Sequence, residues 1–428
     1  MNDDAKKNAV SRRGFLGVSS AALAGGTLAS AAEKTQQPYS SKAEKEQDKK
    51  PYPTKDSTSA SAPGPGNTVL DEQNSDSFLP PQTDAGGVQT FKYPFGLSHK
   101  RMQEGGWSRE VTIRELAVSK TIAGVDMRLT AGGIRELHWH TAAEWALMLY
   151  GNARITGLDA EGRGFVTDVS EGDLWYFPTG IPHSIQGLGP DGCEFLLVFD
   201  DGGFSQYETV LLTDWMAHTP KDVLAQNFGL NPQAMEKMPK KEKFIFQAPV
   251  PGPLSDDQKT AYGSRGPSPT DFAFRVAQQT INKRTKGGEV RIIDSNNFKV
   301  STTIAAAIVT VHPAGIRELH WHQNADEWQY FVSGKGRMTV FATGGRARTM
   351  DFQAGDVGYI QKTLPHYIQN TGDTDLKFLE MFKANVYQDL ALSEWLAHLP
   401  PELVIAHLGI DQATLDAIPK DKAVIMPR

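Results

Sequence analysis

The sequence predicts an all-β protein made of two copies of one sandwich or barrel domain. Three observations carry this: a long segment that returns at a fixed spacing, short apolar runs set between turn residues, and a histidine pattern that occurs twice. Residues 133–140, Gly-Ile-Arg-Glu-Leu-His-Trp-His, return as residues 315–322, so that His138 and His320 stand 182 positions apart. Further matches flank them: Ser119–Ala123 with Ser301–Ala305, Gly172-Asp173 with Gly355-Asp356, and Pro182-His183 with Pro365-His366. Even the ends agree, as Trp215-Met216-Ala217-His218 returns as Trp395-Leu396-Ala397-His398. A period this long marks a duplicated domain rather than a solenoid repeat.

Within each copy the texture is β. Runs such as Leu174–Phe177 and Phe195–Phe199 are separated by Gly, Pro, Asp and Asn, the pattern of many short strands in a sandwich or barrel. Each copy closes in helical text. Thr219 is a candidate N-cap with Pro220 at the first helical position, and Val223, Leu224 and Phe228 keep helical spacing. A short helical hairpin outside each barrel is a natural oligomer contact.

Of the 428 residues, 39% are hydrophobic and 22% charged, enough to bury a core in two or more domains. A net charge of -6 gives no basic footprint for nucleic acid and favours small-molecule chemistry. The single cysteine, Cys193, excludes a disulfide within the chain and is expected to pack as a small hydrophobe. Residues 1–31 read as a twin-arginine export signal. Arg12-Arg13 is followed by a modestly apolar run to Leu28 and a small-residue cleavage site at Ala29-Ser30-Ala31. The expectation is export to the periplasm or beyond, with no membrane association once the signal is removed. Residues 32–87 read as a disordered linker or arm, with Ser77–Pro81 able to dock on the folded body. The first domain is expected over 88–250 and the second over 251–428.

His138 and His140 are two apart, which on a strand points both imidazoles to one face. Glu144 follows after a short stretch that can turn, and His183 belongs to a later strand that can lie alongside. The second copy offers His320, His322, Glu327 and His366. Six of the chain's 11 histidines thus fall into two copies of one pattern. Three imidazoles and a carboxylate would cover one side of an octahedral ion and leave positions open. Glu380 stands out by alternation: Leu376, Phe378, Glu380 and Phe382 share one face, so this carboxylate points inward and must be paired or functional. Its first-copy counterpart is Leu197.

These motifs resemble the cupin signatures. Gly132, His138, His140, Glu144 and Gly151 match the first, and Gly172, Pro178, Gly180 and His183 the second, with Gly187 where Asn is usual. In the second domain His320, His322, Glu327, Gly334, Gly355, His366 and Asn370 fit, while Ala314 and Gln361 replace the usual Gly and Pro. The duplicated Arg-Glu-Leu-His-Trp-His, with residues 172–178 and 213–215, resembles the bicupin oxalate decarboxylases. The resemblance implies two jelly-roll (double-stranded β-helix) barrels, one manganese ion in each, oxalate as substrate, dioxygen as cofactor, and hexamers built from trimers. The ligand set alone would not choose manganese over iron, nickel or zinc.

Oxalate is a small dianion, and the resemblance places Arg135 and Arg317 in the pockets. Strict alternation from His138 and His320 would point both arginines away, so this placement requires a local bulge. The family's pattern also puts Glu380 and Tyr387 beside the second metal. Between Phe199 and Trp215 the first copy has 16 positions, against 13 between Phe382 and Trp395. The extra length, Asp201–Glu208, reads as a mobile lid. The lid glutamate that protonates the intermediate in the family is here Gln206, leaving Glu208 to donate a proton if the loop shifts. Without that proton the same scaffold would act as an oxalate oxidase, releasing CO2 and hydrogen peroxide. The remaining alternatives are a storage-type bicupin that binds without catalysis and an oxygenase for a larger organic substrate. Both intact ligand sets speak against the first, and the paired arginines against the second. Trp139, Trp321 and Trp175, beside the ligand strands, read as packing residues.

Overall fold

A computed structural model describes residues 67–77, 80–205, 207 and 209–428. Residues 1–31, Gln206 and Glu208 lie outside them. The protein is two jelly-roll barrels. In the first, the long strand Glu144–Leu158 runs through both layers and joins them into one 12-stranded sheet. The second keeps two layers of seven and six strands. No helix among the described residues is long and apolar enough to cross a membrane.

Strand alternation explains how the two barrels join. Along Glu144–Leu158, Ala146 and Met148 enter the interior of the first barrel, with Phe195, Leu197 and Phe199 from the neighbouring strand. The intervening Trp145, Leu147, Leu196 and Val198 face the opposite way and merge with Trp328, Tyr359 and Met381 of the second barrel. Both faces of these strands are buried, which is why they read as continuous apolar runs. Cys193 is buried among them as a free thiol, pushed up to about 12 by burial.

Strand pairing crosses the expected division into 88–250 and 251–428. Lys92–Pro94 pairs with Asp356–Ile360 of the second barrel, and Lys92 forms a buried ion pair with Asp356 at 3.1 Å. Conversely, Ala273–Phe274 pairs with Leu174–Phe177 of the first barrel. The helix Leu254–Tyr262 packs on strand Gly164–Ser170, with Gln258 donating to the Val166 carbonyl. Each barrel therefore carries a strand from beyond its own repeat. A repeat locates duplicated text but does not say which sheet edge a flanking strand joins.

Within the expected linker, the described residues 67–77 and 80–87 pack on the second barrel. They start with a helix, Thr68–Gln73, capped by Asn67. Asp76 is buried against the second barrel, where it accepts the Asp351 N–H at 3.1 Å, and Ser75 donates to the Asp351 carboxylate at 2.8 Å. These residues dock through hydrogen bonds, which polar composition does not announce. At the other end, Thr219 is not an N-cap: Pro220 occupies that position, and the Thr219 hydroxyl donates to the Trp215 carbonyl. Val223 and Phe228 are about half exposed, so the hairpin presents apolar surface outward.

Docking of the arm should depend on pH. Burial, then the Asp351 charge, pushes the Asp76 carboxyl up to about 6, with Lys92 opposing. A carboxyl that holds its proton more tightly when docked stabilises docking at low pH, and this contribution is lost as pH rises through that value. Proteolytic release of residues 67–77, taken relative to Asp76→Asn, should accelerate between about pH 5 and pH 7.5; a constant ratio would contradict this linkage.

Candidate functional site

Each ligand set is assembled by three strands and a turn. In the first barrel Gly133–Trp139 carries His138, with His140 just past its end, and His183 opens the strand His183–Gly187 directly opposite His138. Glu144 opens the next strand. The ligand atoms of His138, His140, Glu144 and His183 all lie within 4.8 Å of one another, as do those of His320, His322, Glu327 and His366. All eight side chains are buried.

Backbone carbonyls aim the imidazoles. Nδ1 of His138 donates to the Glu136 carbonyl at 2.6 Å, His140 to Ala142 at 2.5 Å and His183 to Ile181 at 2.8 Å. In the second barrel His320 donates to Glu318, His322 to Gln388 and His366 to Leu364. Each ring is thus fixed in the tautomer that leaves the Nε2 lone pair facing inward. Burial, then the positive neighbours Arg135 and Arg317, holds His138 and His320 well below the usual imidazole range, so both are neutral donors. Burial would raise Glu144 and Glu327, yet the adjacent imidazoles outweigh it and hold both carboxyls below their ordinary range. His183, His320, His322 and His366 leave Nε2, and Glu327 leaves Oε2, buried without a hydrogen-bond partner. Such atoms are costly unless something binds them. Imidazole nitrogens and one carboxylate converging this way fit a divalent cation.

The other oxygen of each carboxylate is held differently. Trp175 Nε1 donates to Glu144 Oε1 at 2.8 Å, so Trp175 orients a ligand besides packing. Gln329 Nε2 plays the same part for Glu327 at 2.6 Å. Trp139 and Trp321 pack edge-on against Trp215 and Trp395.

The bulge that the arginines require is present. The ladder shifts register between Arg135 and His138, and again between Arg317 and His320, bringing each arginine inward with the histidines. Ala314, at φ 63, occupies the left-handed position that Gly132 fills at φ 83 in the first copy, which is why glycine is usual there.

The two arginines meet opposite surroundings. Arg317 donates to Glu380 at 3.2 Å, to Tyr387 at 2.7 Å and to Asp389 at 2.6 Å, and Asp389 also holds Lys422. Burial acts against its charge, but Tyr387, Glu380 and Asp389 raise it well above its ordinary value. Glu380 is raised by burial, with Arg317 opposing. Asp389, which sequence reasoning missed, is pushed down to about 2 by Arg317 and Lys422 against its burial. Arg135 has no carboxylate partner among the described residues. Among those residues its guanidinium donates to the Phe244 carbonyl at 3.3 Å, and burial lowers it to about 10. Arg135, His138, His140 and Glu144 share a pocket with Leu197, Phe199, Phe204 and Thr209.

Phe204 and Thr209 belong to the flanks of the expected lid. Phe204 stacks on Phe199 with ring centroids 3.6 Å apart and meets the His140 ring edge-on. Gly202 is not a free hinge: it is buried, and a Cβ there would come 2.2 Å from the Ser119 carbonyl oxygen. The described part of the loop is seated over the metal ligands, with Gln206 and Glu208 outside the description.

His183→Ala should lower bound divalent metal from two ions per chain to one, measured by elemental analysis after loading. Two ions retained would mean that the first set does not bind as a unit. Arg317→Gln leaves Glu380 uncompensated and Asp389 with Lys422 alone and should destabilise the second barrel by about 3–5 kcal/mol. Thermal unfolding checks this, and an unchanged Tm would count against the network.

The sequence pattern described as Cupin matches residues 96–236 and 274–416, one copy per barrel. The oxalate decarboxylase OxdC of Bacillus subtilis is 51% identical over 384 residues, covering 90% of this chain and 99% of that protein. A probable oxalate decarboxylase of Arthroderma benhamiae is 41% identical over 369 residues, 85% of this chain and 90% of that protein. The Bacillus subtilis oxalate decarboxylase structure at pH 4.6 superposes with a TM-score of 0.83 at 50% identity, covering 89% of this chain and 98% of that one. Another structure of that enzyme, studied for its Mn(II) centres, gives 0.82 at 52% identity over 85% and 96%. With two cupin barrels, two His3Glu sets and this similarity over nearly the whole folded body, the chain belongs to the cupins and, among them, to the bicupin oxalate decarboxylase family.

Proposed function

We propose that this protein is a manganese-dependent oxalate decarboxylase that converts oxalate to formate and CO2 in its first barrel. The observation that carries the choice of barrel is the state of the two arginines. A dianion needs uncompensated positive charge. Arg135 offers it beside His138 and Glu144, whereas Arg317 is already neutralised by Glu380 and Asp389. Manganese is supported by the relatives named above and by the fit of both ligand sets. Once bound, it supplies a Lewis acid for one carboxylate and, with dioxygen, a one-electron redox partner.

The chain's own residues do the rest. Arg135 pairs with the outer carboxylate of oxalate through its guanidinium fork and balances its charge. Leu197, Phe199 and Phe204 keep the pocket apolar, so that this pairing is little screened. As CO2 leaves, one proton must reach the remaining carbon to give formate. The lid is where that proton comes from, and Glu208 is the acid available there in place of the family's glutamate at Gln206. Glu380 and Tyr387 serve the second barrel, where they hold Arg317 and give it a supporting role.

Export by the twin-arginine route, to the periplasm or beyond, follows from residues 11–31 and suits a protein that folds around its metal first. A trimer or hexamer is supported by the apolar helical hairpins, where Trp215, Phe228, Trp395 and Leu408 are about half exposed.

Arg135→Gln should lower kcat/KM for oxalate by about two orders of magnitude or more, since it removes a charge-assisted pair from a buried site. An unaltered value would remove Arg135 from substrate binding. Formate and hydrogen peroxide measured together decide the reaction: formate should match oxalate consumed, and peroxide in its place would make the enzyme an oxidase. Glu208→Gln should abolish formate selectively, and undiminished formate would free Glu208 of its role.

A further inference from the structure

Arg135-Glu136 forms a clamp on a distant segment, and Arg317-Glu318 repeats it. In the first barrel the clamp closes on Phe244, whose carbonyl accepts the Glu136 N–H at 3.0 Å and Arg135 Nη1 at 3.3 Å. The Glu136 carboxylate in turn accepts the N–H groups of Phe244 at 2.5 Å and Lys243 at 2.9 Å, and the Thr213 hydroxyl at 2.9 Å. Phe244 is thereby held at φ 58, a conformation that a bulky residue keeps only when its surroundings impose it. In the second barrel Val424 sits in the same clamp at φ 66, accepting the Glu318 N–H at 3.0 Å and donating to Glu318 at 2.6 Å.

The clamped side chain is what differs. The Phe244 ring is buried, with the Arg135 guanidinium carbon 4.2 Å and that of Arg101 3.6 Å from its centroid. Both guanidiniums therefore lie over this one ring. Arg101 is fixed from behind by Glu242 at 2.6 Å and reaches toward Tyr207 of the lid. Val424 offers no aromatic face, and there carboxylates hold the arginine instead. Both arrangements fix a guanidinium, but a carboxylate cancels its charge and a ring does not.

We propose that Phe244 is a positioning residue for substrate. Its ring, held by the Glu136 clamp against Arg101 and Arg135, supports the Arg135 guanidinium without neutralising it and leaves its charge free for a substrate carboxylate. This rests on reading the first barrel as the oxalate site.

The test uses the full manganese-loaded chain with two readouts: steady-state kinetics, and equilibrium dialysis of labelled oxalate without dioxygen. Phe244→Leu keeps apolar bulk and loses the ring, and Phe244→Met takes its place if that variant does not fold. KM and the oxalate dissociation constant should rise about tenfold, the worth of a desolvated cation–π contact, with a smaller fall in kcat. Phe244→Tyr should restore both constants, with metal content equal throughout. Wild-type affinity in the ring-less variant, or a Tyr variant no better than Leu, overturns the proposal while the oxalate reading stands. A wild-type protein that neither binds nor consumes oxalate overturns both.

Discussion

Six donations from imidazole Nδ1 to backbone carbonyls are the constraint on which the rest of the molecule depends. They fix each ring's direction, so that three imidazole nitrogens and one carboxylate per barrel meet around a point. A cation at that point would satisfy the inward nitrogens of His183, His320, His322 and His366, which are buried without a hydrogen-bond partner. Everything functional is placed relative to it: the bulge that turns an arginine inward, the lid flank that closes over the pocket, and the indole or amide that steadies each carboxylate.

Duplication makes the molecule its own comparison. The same strand, bulge and clamp occur twice, yet electrostatics separates the two sites. In the second barrel a buried Arg–Glu–Asp–Tyr network satisfies its members and leaves no net demand for an anion. In the first, Leu197 stands where Glu380 would be, and the arginine rests against an aromatic ring. Two carboxylates, Glu380 and Asp389, hold Arg317, and with Leu197 and Thr209 at the matching positions of the first barrel Arg135 keeps a charge that Arg317 spends on structure.

Much of this was legible in particular residues. The His-x-His pairs and the inward Glu380 follow from the period of a strand, which side chains cannot evade once one face is buried, whereas the bulge at Arg135 is expected only because the family resemblance places that arginine in the pocket. Asp389 and the clamping roles of Glu136 and Glu318 were not legible, although both glutamates lie within the repeated motif. Their partners, Phe244 and Val424, are more than 100 positions away, and no local pattern announces a contact across that distance.

By itself the sequence determined the duplicated β architecture, the eight ligands and the inward carboxylate, because alternation and repetition are properties of the chain read in order. Tertiary structure alone decided which barrel each flanking strand joins, that part of the arm docks, and which arginine keeps its charge. Those outcomes depend on what stands opposite a residue after folding, and the energy of a buried charge is set by that neighbour rather than by its place in the chain.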